Sequence, residues 1–380
     1  MNKIKLINLT IDNKGHYGLG ASSSPFDKDF PLYLRITDID DNSYVSYLPT
    51  CVDPKQYPDY NNHLLKNNDI VFARTGNSTG RNYFYDGKFK NVVFAGFLIK
   101  YSLDPKKVNP KYVSYYCQSQ EYKSTIDALS NGSTRKNLNA NQFGRIEIPL
   151  YSIETQQHIV DIIGSIDNLI ESNTVALNSI ESLINNIFHA HYILWKEKKE
   201  LGKVFTCILG GTPSTKNVEY WDGNIPWINS GEVNNLRIST PTKYITKLGL
   251  EKSATKLLPT GTTVIAITGA TLGQVSLLEI DSCANQSVIG ILENKEYKRD
   301  YIYPLMNKII KELILNQTGG AQQHINKNDV QSFIINIPNI QQYEEYTKIV
   351  LPLLNHQSMI VKQNNKLTNL KQKYLNKFFD

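Results

Sequence analysis

Residues 268–275 read TGATLGQV, and residues 75–82 read TGNSTGRN. Each follows an apolar run, TVIAI at 263–267 in one case and DIVFA at 69–73 in the other. A strand that enters a glycine turn is how a phosphate-gripping loop begins, so the first question is whether either stretch holds a nucleotide. A P-loop needs Gly-x-x-x-x-Gly-Lys-[Ser/Thr], so that backbone N–H groups cradle phosphate and the lysine reaches its outer oxygens. Here Gly269 and Gly273 are one residue too close, and Gln274 stands where the lysine belongs. The dinucleotide fingerprint Gly-x-Gly-x-x-Gly also fails. The local sequence reads as a turn.

The turn matters because it occurs twice. Gly76 and Gly80 lie 193 residues before Gly269 and Gly273, and the leucine pairs 64–65 and 257–258 keep that offset. At an offset of 189, KYV (111–113) faces DYI (300–302), and RKNLN (135–139) faces HINKN (324–328). Ile146, Ile148 and Pro149 likewise face Ile335, Ile337 and Pro338. A Gln-Gln pair follows each proline, at 156–157 and 341–342, and then a long helical pattern. A period this long exceeds that of solenoid repeats. The sequence predicts two copies of one domain, each followed by a helix: 1–150, 151–199, 200–338 and 339–380. Strand-like runs at 91–100, 145–149, 262–268, 286–292 and 333–338 mix with helical patterns at 111–129 and 299–316, which makes each copy α+β.

The first long helix has a sharp seam. Ile159, Ile163, Ile166, Ile170, Asn173, Leu177, Ile180, Ile184 and Ile187 alternate steps of four and three, the a/d spacing of a coiled coil. Asn173 is the one polar member, and an asparagine there fixes register at some cost in stability. At an offset of 190, Leu353, Ile360, Leu367, Leu370 and Tyr374 repeat much of the seam, with Gln363 aligned to Asn173. Pro352 is expected to delay or kink this second helix. Residues 151–199 carry three Lys/Arg against six Asp/Glu, and residues 339–380 carry six against three. Opposite signs favour pairing of the two helices with each other, as an antiparallel coiled coil between two pseudo-symmetric globular domains.

The net charge of +6 is mildly basic and permits an anionic partner without requiring one. Residues 1–150 hold nineteen Lys/Arg against fourteen acids, and residues 200–338 thirteen against twelve. Cys51, Cys117, Cys207 and Cys283 show no Cys-x-x-Cys spacing and read as reduced structural thiols of a cytoplasmic protein. No signal-peptide core opens the sequence, and no apolar run has the length of a membrane span.

No catalytic constellation stands out. His189 and His191 are two apart on a helix and face different ways, and no nucleophile elbow, His-Glu-x-x-His or nuclease-like carboxylate cluster is present. An adenine methyltransferase would need an Asn/Asp-Pro-Pro-Tyr/Phe loop, which residues 109–112 (NPKY) only approach. What the loops offer is hydrogen-bonding surface. Arg74, Thr75, Asn77, Ser78, Arg81 and Asn82 fall in one turn, and Ser133, Thr134, Arg135 and Lys136 in another. The second copy supplies Thr212, Ser214, Thr215, Lys216, Asn229 and Ser230, then Thr268 and Thr271, then Gln322, Gln323 and His324. Arg and Lys suit phosphate and guanine, and Asn and Gln suit adenine edges. Trp221 and Trp227 read as core or loop anchors.

Taken together, GGTPST…YWDGNIPWINSGEV (210–233), TGATLGQV, NQSVIGI (285–291), GGAQQHINKNDV (319–330) and IPNIQQYEEY (337–346) resemble the specificity subunit of a type I restriction-modification system. The resemblance covers nearly the whole chain, although the first copy lacks the Gly-Gly-Thr-Pro-Ser element. It implies two target-recognition domains, each reading one half of a split duplex DNA site in the major groove. It also implies two helices that dock two methyltransferase subunits, which bring S-adenosylmethionine, and restriction subunits that bring ATP and Mg. This subunit would have no catalysis or cofactor of its own. Ile159 to Ile187 spans about 43 Å at roughly 1.5 Å per residue, enough to place two domains over half-sites about one DNA turn apart. Two other classes stay open on sequence alone: a DNA-modification enzyme with divergent motifs, and a coiled-coil scaffold that binds no DNA.

Overall fold

A computed structural model describes residues 2–130, 137–316 and 324–380. The chain forms two compact units, Met1–Ile170 with Leu367–Asp380, and Glu171–Lys366. We call them the first and second units.

In the first unit an antiparallel sheet runs in the order His16–Tyr17, Leu98–Ser102, Asp69–Ala73, Asn82–Phe84. A second sheet runs Ser24–Pro25, Thr50–Cys51, Leu32–Leu34, Val92–Phe94, its last pair parallel. The apolar run at 91–100 is therefore two strands in two sheets, split at the turn around Phe97. A two-stranded ribbon joins Asn2–Lys5 to Glu147–Leu150. The helical pattern at 111–129 is likewise two helices, Pro110–Tyr116 and Gln120–Ser130. The first starts where Asn109 accepts from the Lys111 and Tyr112 amides, with Pro110 at its first position.

The second unit repeats this plan. Its main sheet runs Cys207–Leu209, Val288–Ile291, Thr263–Ala266, Val275–Leu278, Arg237–Ile238. A second sheet of Lys243–Ile245, Trp221–Ile228 and Cys283–Ala284 again contains one parallel pair. The ribbon is Glu197–Glu200 with Ile334–Ile337, and the helix Arg299–Leu315 takes the place of the split pair. Matching capping boxes open the helices after Asn139 and Asn326. These caps are 187 apart, so the pairing of 135–139 with 324–328 is two residues out of structural register.

The long helices are Ile153–Tyr192 and Ile340–Phe379. The last residues of the span 151–199 read as helix, 197–199, belong instead to the ribbon strand Glu197–Glu200. In the first unit Ile159 and Ile163 share a core with Leu375 and Phe379, and Lys371 pairs with Asp167 at 2.7 Å. In the second unit Ile184 and Phe188 share a core with Tyr346, Val350 and Leu354. Asn173 donates to Asn364 at 2.7 Å there, and Gln357 to Glu181 at 3.1 Å. Partners fall along one helix as they rise along the other, so the helices run antiparallel.

Along the central helix Ile159, Ile163, Ile166 and Ile184 are buried, and Ile170, Asn173, Leu177 and Ile180 half-buried. The second helix differs by one residue from the seam read in the sequence. Ile360 is buried, Leu353, Leu367 and Tyr374 are half-buried, and Leu370 is 41% exposed. The inward positions are Val350, Leu354, Gln357, Asn364 and Leu375, at an offset of 191 rather than 190. Doublets such as 353–354, 360–361, 374–375 and 378–379 offer an apolar residue in either register, so periodicity alone could not choose. Pro352 neither delays nor ends this helix, which begins twelve residues before it. Pro352 and Lys348 are both exposed, so the carbonyl that loses its donor can be solvated.

Candidate nucleic-acid interface

The two glycine turns are hairpin loops of the same build. Gly76 and Gly80 have φ of 70° and 91°, and Gly269 and Gly273 have φ of 72° and 86°, values that favour glycine. The Gly80 amide donates to Ala73 O and the Gly273 amide to Ala266 O, both at 2.9 Å. Ala73 and Ala266 return the bond to Arg81 O and Gln274 O. A Cβ at Gly80 would lie 2.6 Å from Ile126, and one at Gly273 would lie 2.6 Å from Ile314. The second glycine of each turn thus closes the hairpin and lets a helix approach. Its N–H is used up internally and is not aimed at a phosphate.

In the first unit, Arg74 sits at the hairpin junction with its guanidinium 5.0 Å from the centre of the Tyr17 ring. Thr75, half-buried, pairs with Asn137, and Asn77 is exposed at the tip. Arg81 and half-buried Ser78 lie elsewhere on the loop. Arg81 pairs with Asp41 at 2.7 Å and donates to Ile39 O at 3.2 Å, so its fork is already engaged. Asn82 is not a surface group: it is 2% exposed, and its amide donates to Cys117 O at 2.8 Å. Strand alternation turns it inward, which removes it from the candidates. Ser133, Thr134, Arg135 and Lys136 lie outside the described residues.

In the second unit the two tryptophans pin the 210–217 loop. Trp227 donates to Gly211 O at 3.1 Å and Trp221 to Ser214 O at 3.2 Å. Thr212, Ser214, Thr215 and Lys216 are left exposed. Asn229 spends its side-chain oxygen on the Gly231 amide and its backbone N–H on Glu232, capping the turn that contains Ser230. That turn lies beside the Gly269–Thr271 turn, gathering half-buried Asn229, Ser230, Thr268 and Thr271. His324 is exposed, and Gln322 and Gln323 lie outside the described residues.

Sequence reading missed three residues at these sites. Tyr17 (43% exposed) and Phe97 (61% exposed) flank Arg74, and Gln286 accepts from the Thr212 hydroxyl. No local motif marks them, because each lies at or beside a strand end that only sheet pairing brings to these loops. Behind the corner, burial pushes the Tyr101 phenol well above its ordinary range, so it stays a donor, to Ala140 O. Among the described residues no cluster of three or more His, Cys, Asp or Glu could hold a metal ion, and no helix is long and apolar enough to cross a membrane.

Comparison with known proteins fits this geometry. The family model described as the type I restriction modification DNA specificity domain matches twice, over residues 36–182 and 193–373. The EcoR124I/EcoR124II specificity subunit of Escherichia coli is 25% identical over 291 residues, covering 72% of this chain and 70% of that protein. The HindI specificity subunit of Haemophilus influenzae is 20% identical over 447 residues, covering 93% and 96%. The crystal structure of the S subunit of the type I restriction-modification system from M. genitalium has the same fold, with a TM-score of 0.55 at 18% identity over 100% of this chain and 96% of that one. With the family's domain matched in both halves of a duplicated fold, the chain belongs to the type I restriction-modification specificity subunits, the non-catalytic members of those enzymes.

Proposed function

We propose that this chain reads a bipartite duplex DNA sequence, one half per unit, and delivers two methyltransferase subunits to it, with restriction subunits joining that complex. The observation that carries the proposal is one hairpin corner built twice on the same backbone with different side chains, which is what two readers of unlike half-sites require. S-adenosylmethionine belongs on the methyltransferase, and ATP and Mg on the restriction subunit; this chain is assigned no cofactor. Exposed apolar side chains on the long helices, among them Val175 (61%), Leu183 (47%), Ile349 (48%) and Met359 (66%), support protein partners docking there.

The test is to map methylated adenines in cells carrying this chain with its partner genes. A two-part motif with a fixed gap is expected. Replacing 200–338 by the same segment of a relative should change one half of the motif. If both halves changed, or neither did, the two-reader proposal fails. Methyl transfer by the purified chain alone would place the chemistry here instead.

A further inference from the structure

At each hairpin junction three backbone segments meet, and the two units share that arrangement atom for atom. In the first unit the Arg74 amide donates to Phe97 O at 3.0 Å, and the Leu138 amide donates to Arg74 O at 2.8 Å. In the second, the Ile267 amide donates to Ser287 O at 2.9 Å, and the Ile325 amide to Ile267 O at 3.0 Å. Strand register supplies the third segment. Tyr17 pairs with Ile99 as Leu209 pairs with Ile289, and these pair with Phe72 and Ile265, two residues before Arg74 and Ile267. The glycines that follow, Gly18 and Gly210, could not hold a Cβ, which would lie 2.2 Å from Ala95 O and 2.1 Å from Asn285 O. Tyr17, Arg74 and Phe97 therefore stand where Leu209, Ile267 and Ser287 stand in the other unit.

One backbone carries two chemistries. In the second unit the corner is aliphatic, with a hydroxyl. In the first it holds a guanidinium on an aromatic face, and the backbone position across from it belongs to an exposed aromatic, Phe97. Arg74 also differs from three of the other described arginines. Arg35, Arg81 and Arg237 each face a carboxylate, at 2.8, 2.7 and 2.6 Å. Arg74 has no such partner among the described residues; its buried Nε, like that of Arg237, has no acceptor among them. The terminal nitrogens of a guanidinium without a carboxylate partner keep their N–H donors available to a ligand rich in acceptors. The guanidinium is planar, and its fork matches the O6 and N7 acceptors of guanine.

We propose that Arg74, positioned by Tyr17 and flanked by Phe97, reads a guanine in the half-site of the first unit, and that this corner is where the specificities of the two units diverge. The inference rests on the DNA-reading function proposed above. Residue 267 shows that the backbone accepts an aliphatic side chain here, so Arg74→Ile is a substitution the fold has room for. Tyr17→Leu copies Leu209 in the same way and serves as a second, independent variant.

The experiment uses the chain assembled with its methyltransferase subunits and a pool of duplexes with randomised bases, sequenced after methylation. The wild-type motif should contain one guanine whose preference falls on the order of ten- to a hundredfold in Arg74→Ile, the range of a bidentate contact. The other half-site should be unchanged, and Tyr17→Leu should weaken the same position by less. An unchanged motif in both variants overturns the inference. So does equal weakening across all sequences, the mark of a phosphate contact. A wild-type complex without any sequence preference would overturn the DNA-reading function itself, and this inference with it.

Discussion

The Asn173 side chain donates to Oδ1 of Asn364 at 2.7 Å, and the two residues are 191 apart. The buried faces of the long helices repeat at the same offset: Ile159 with Val350, Ile163 with Leu354, Ile184 with Leu375, Phe188 with Phe379. Asn173 is therefore bonded to its own copy, at the point where the duplicated sequence pairs back on itself.

Removing one member of that pair should cost more than removing both. Asn173→Leu leaves a half-buried amide without its partner and should lose about 1–2 kcal/mol in chemical denaturation. The double variant Asn173→Leu/Asn364→Leu should recover most of that loss. It should also populate more than one mass in light scattering, because the polar pair is what rejects other registers. A single mass for the double variant would show that register is set elsewhere.

The hairpin glycines separate two costs. Gly76→Ala meets open space and should carry only the penalty of its positive φ, about 1 kcal/mol. Gly80→Ala and Gly273→Ala add a clash with Ile126 or Ile314 and should lose about 2–4 kcal/mol each. Thermal unfolding of the three variants checks the ranking. Equal losses would mean that the helix yields without cost.

Arg237 is a buried charge whose two terminal nitrogens are engaged, by Glu279 at 2.6 Å and by Gln357 at 2.8 Å with Leu354 O at 3.1 Å, while its Nε has no acceptor among the described residues. Glu279→Ala would strand the guanidinium and should destabilise the second unit by about 3–5 kcal/mol. Arg237→Met with Glu279→Leu, which removes both charges, should lose much less. Denaturation of the single and double variants decides, and a double variant as weak as the single one would show that the charges themselves stabilise the fold.

Burial pushes the Cys207 thiol up to about 11 from 9.0, with Lys327 opposing. Above pH 9.0 the unfolded thiol ionises while the folded one stays protonated, so this group's contribution is full below pH 9.0 and is lost as pH rises to about 11. Wild type should therefore lose on the order of 2 kcal/mol more than Cys207→Ala across that window. The check is urea midpoints of both proteins from pH 8 to 11. A constant difference between them would contradict the assignment.

If the long helices set the gap between half-sites, seven residues inserted after Asn173 with seven more after Asn364 should lengthen the spacer by about 10 Å, at roughly 1.5 Å per residue. The preferred gap should then grow by about three base pairs, at about 3.4 Å each. Four-residue insertions should bind worse, because they break the heptad phase. Methylation of duplexes with graded gaps measures this, and an unchanged gap in a folded seven-residue variant would remove the helices as the ruler.

The sequence by itself determined the duplication, the α+β plan of each copy, the two long helices and the family. All of these rest on short-range signals, glycine spacing and hydrophobic period, that survive without knowledge of contacts. Tertiary structure alone decided which of Leu353 or Leu354, and Tyr374 or Leu375, turns inward. An apolar doublet satisfies either register, and only the partner helix breaks the tie. It also took Asn82 from the surface into the core and gave Arg81 to Asp41. Both looked free because a turn sequence does not reveal which donors the surrounding sheet and loops have engaged. Tyr17, Arg74 and Phe97, spread over eighty residues of chain, became one corner for the same reason: strand pairing joins distant segments, and sequence proximity carries no record of it.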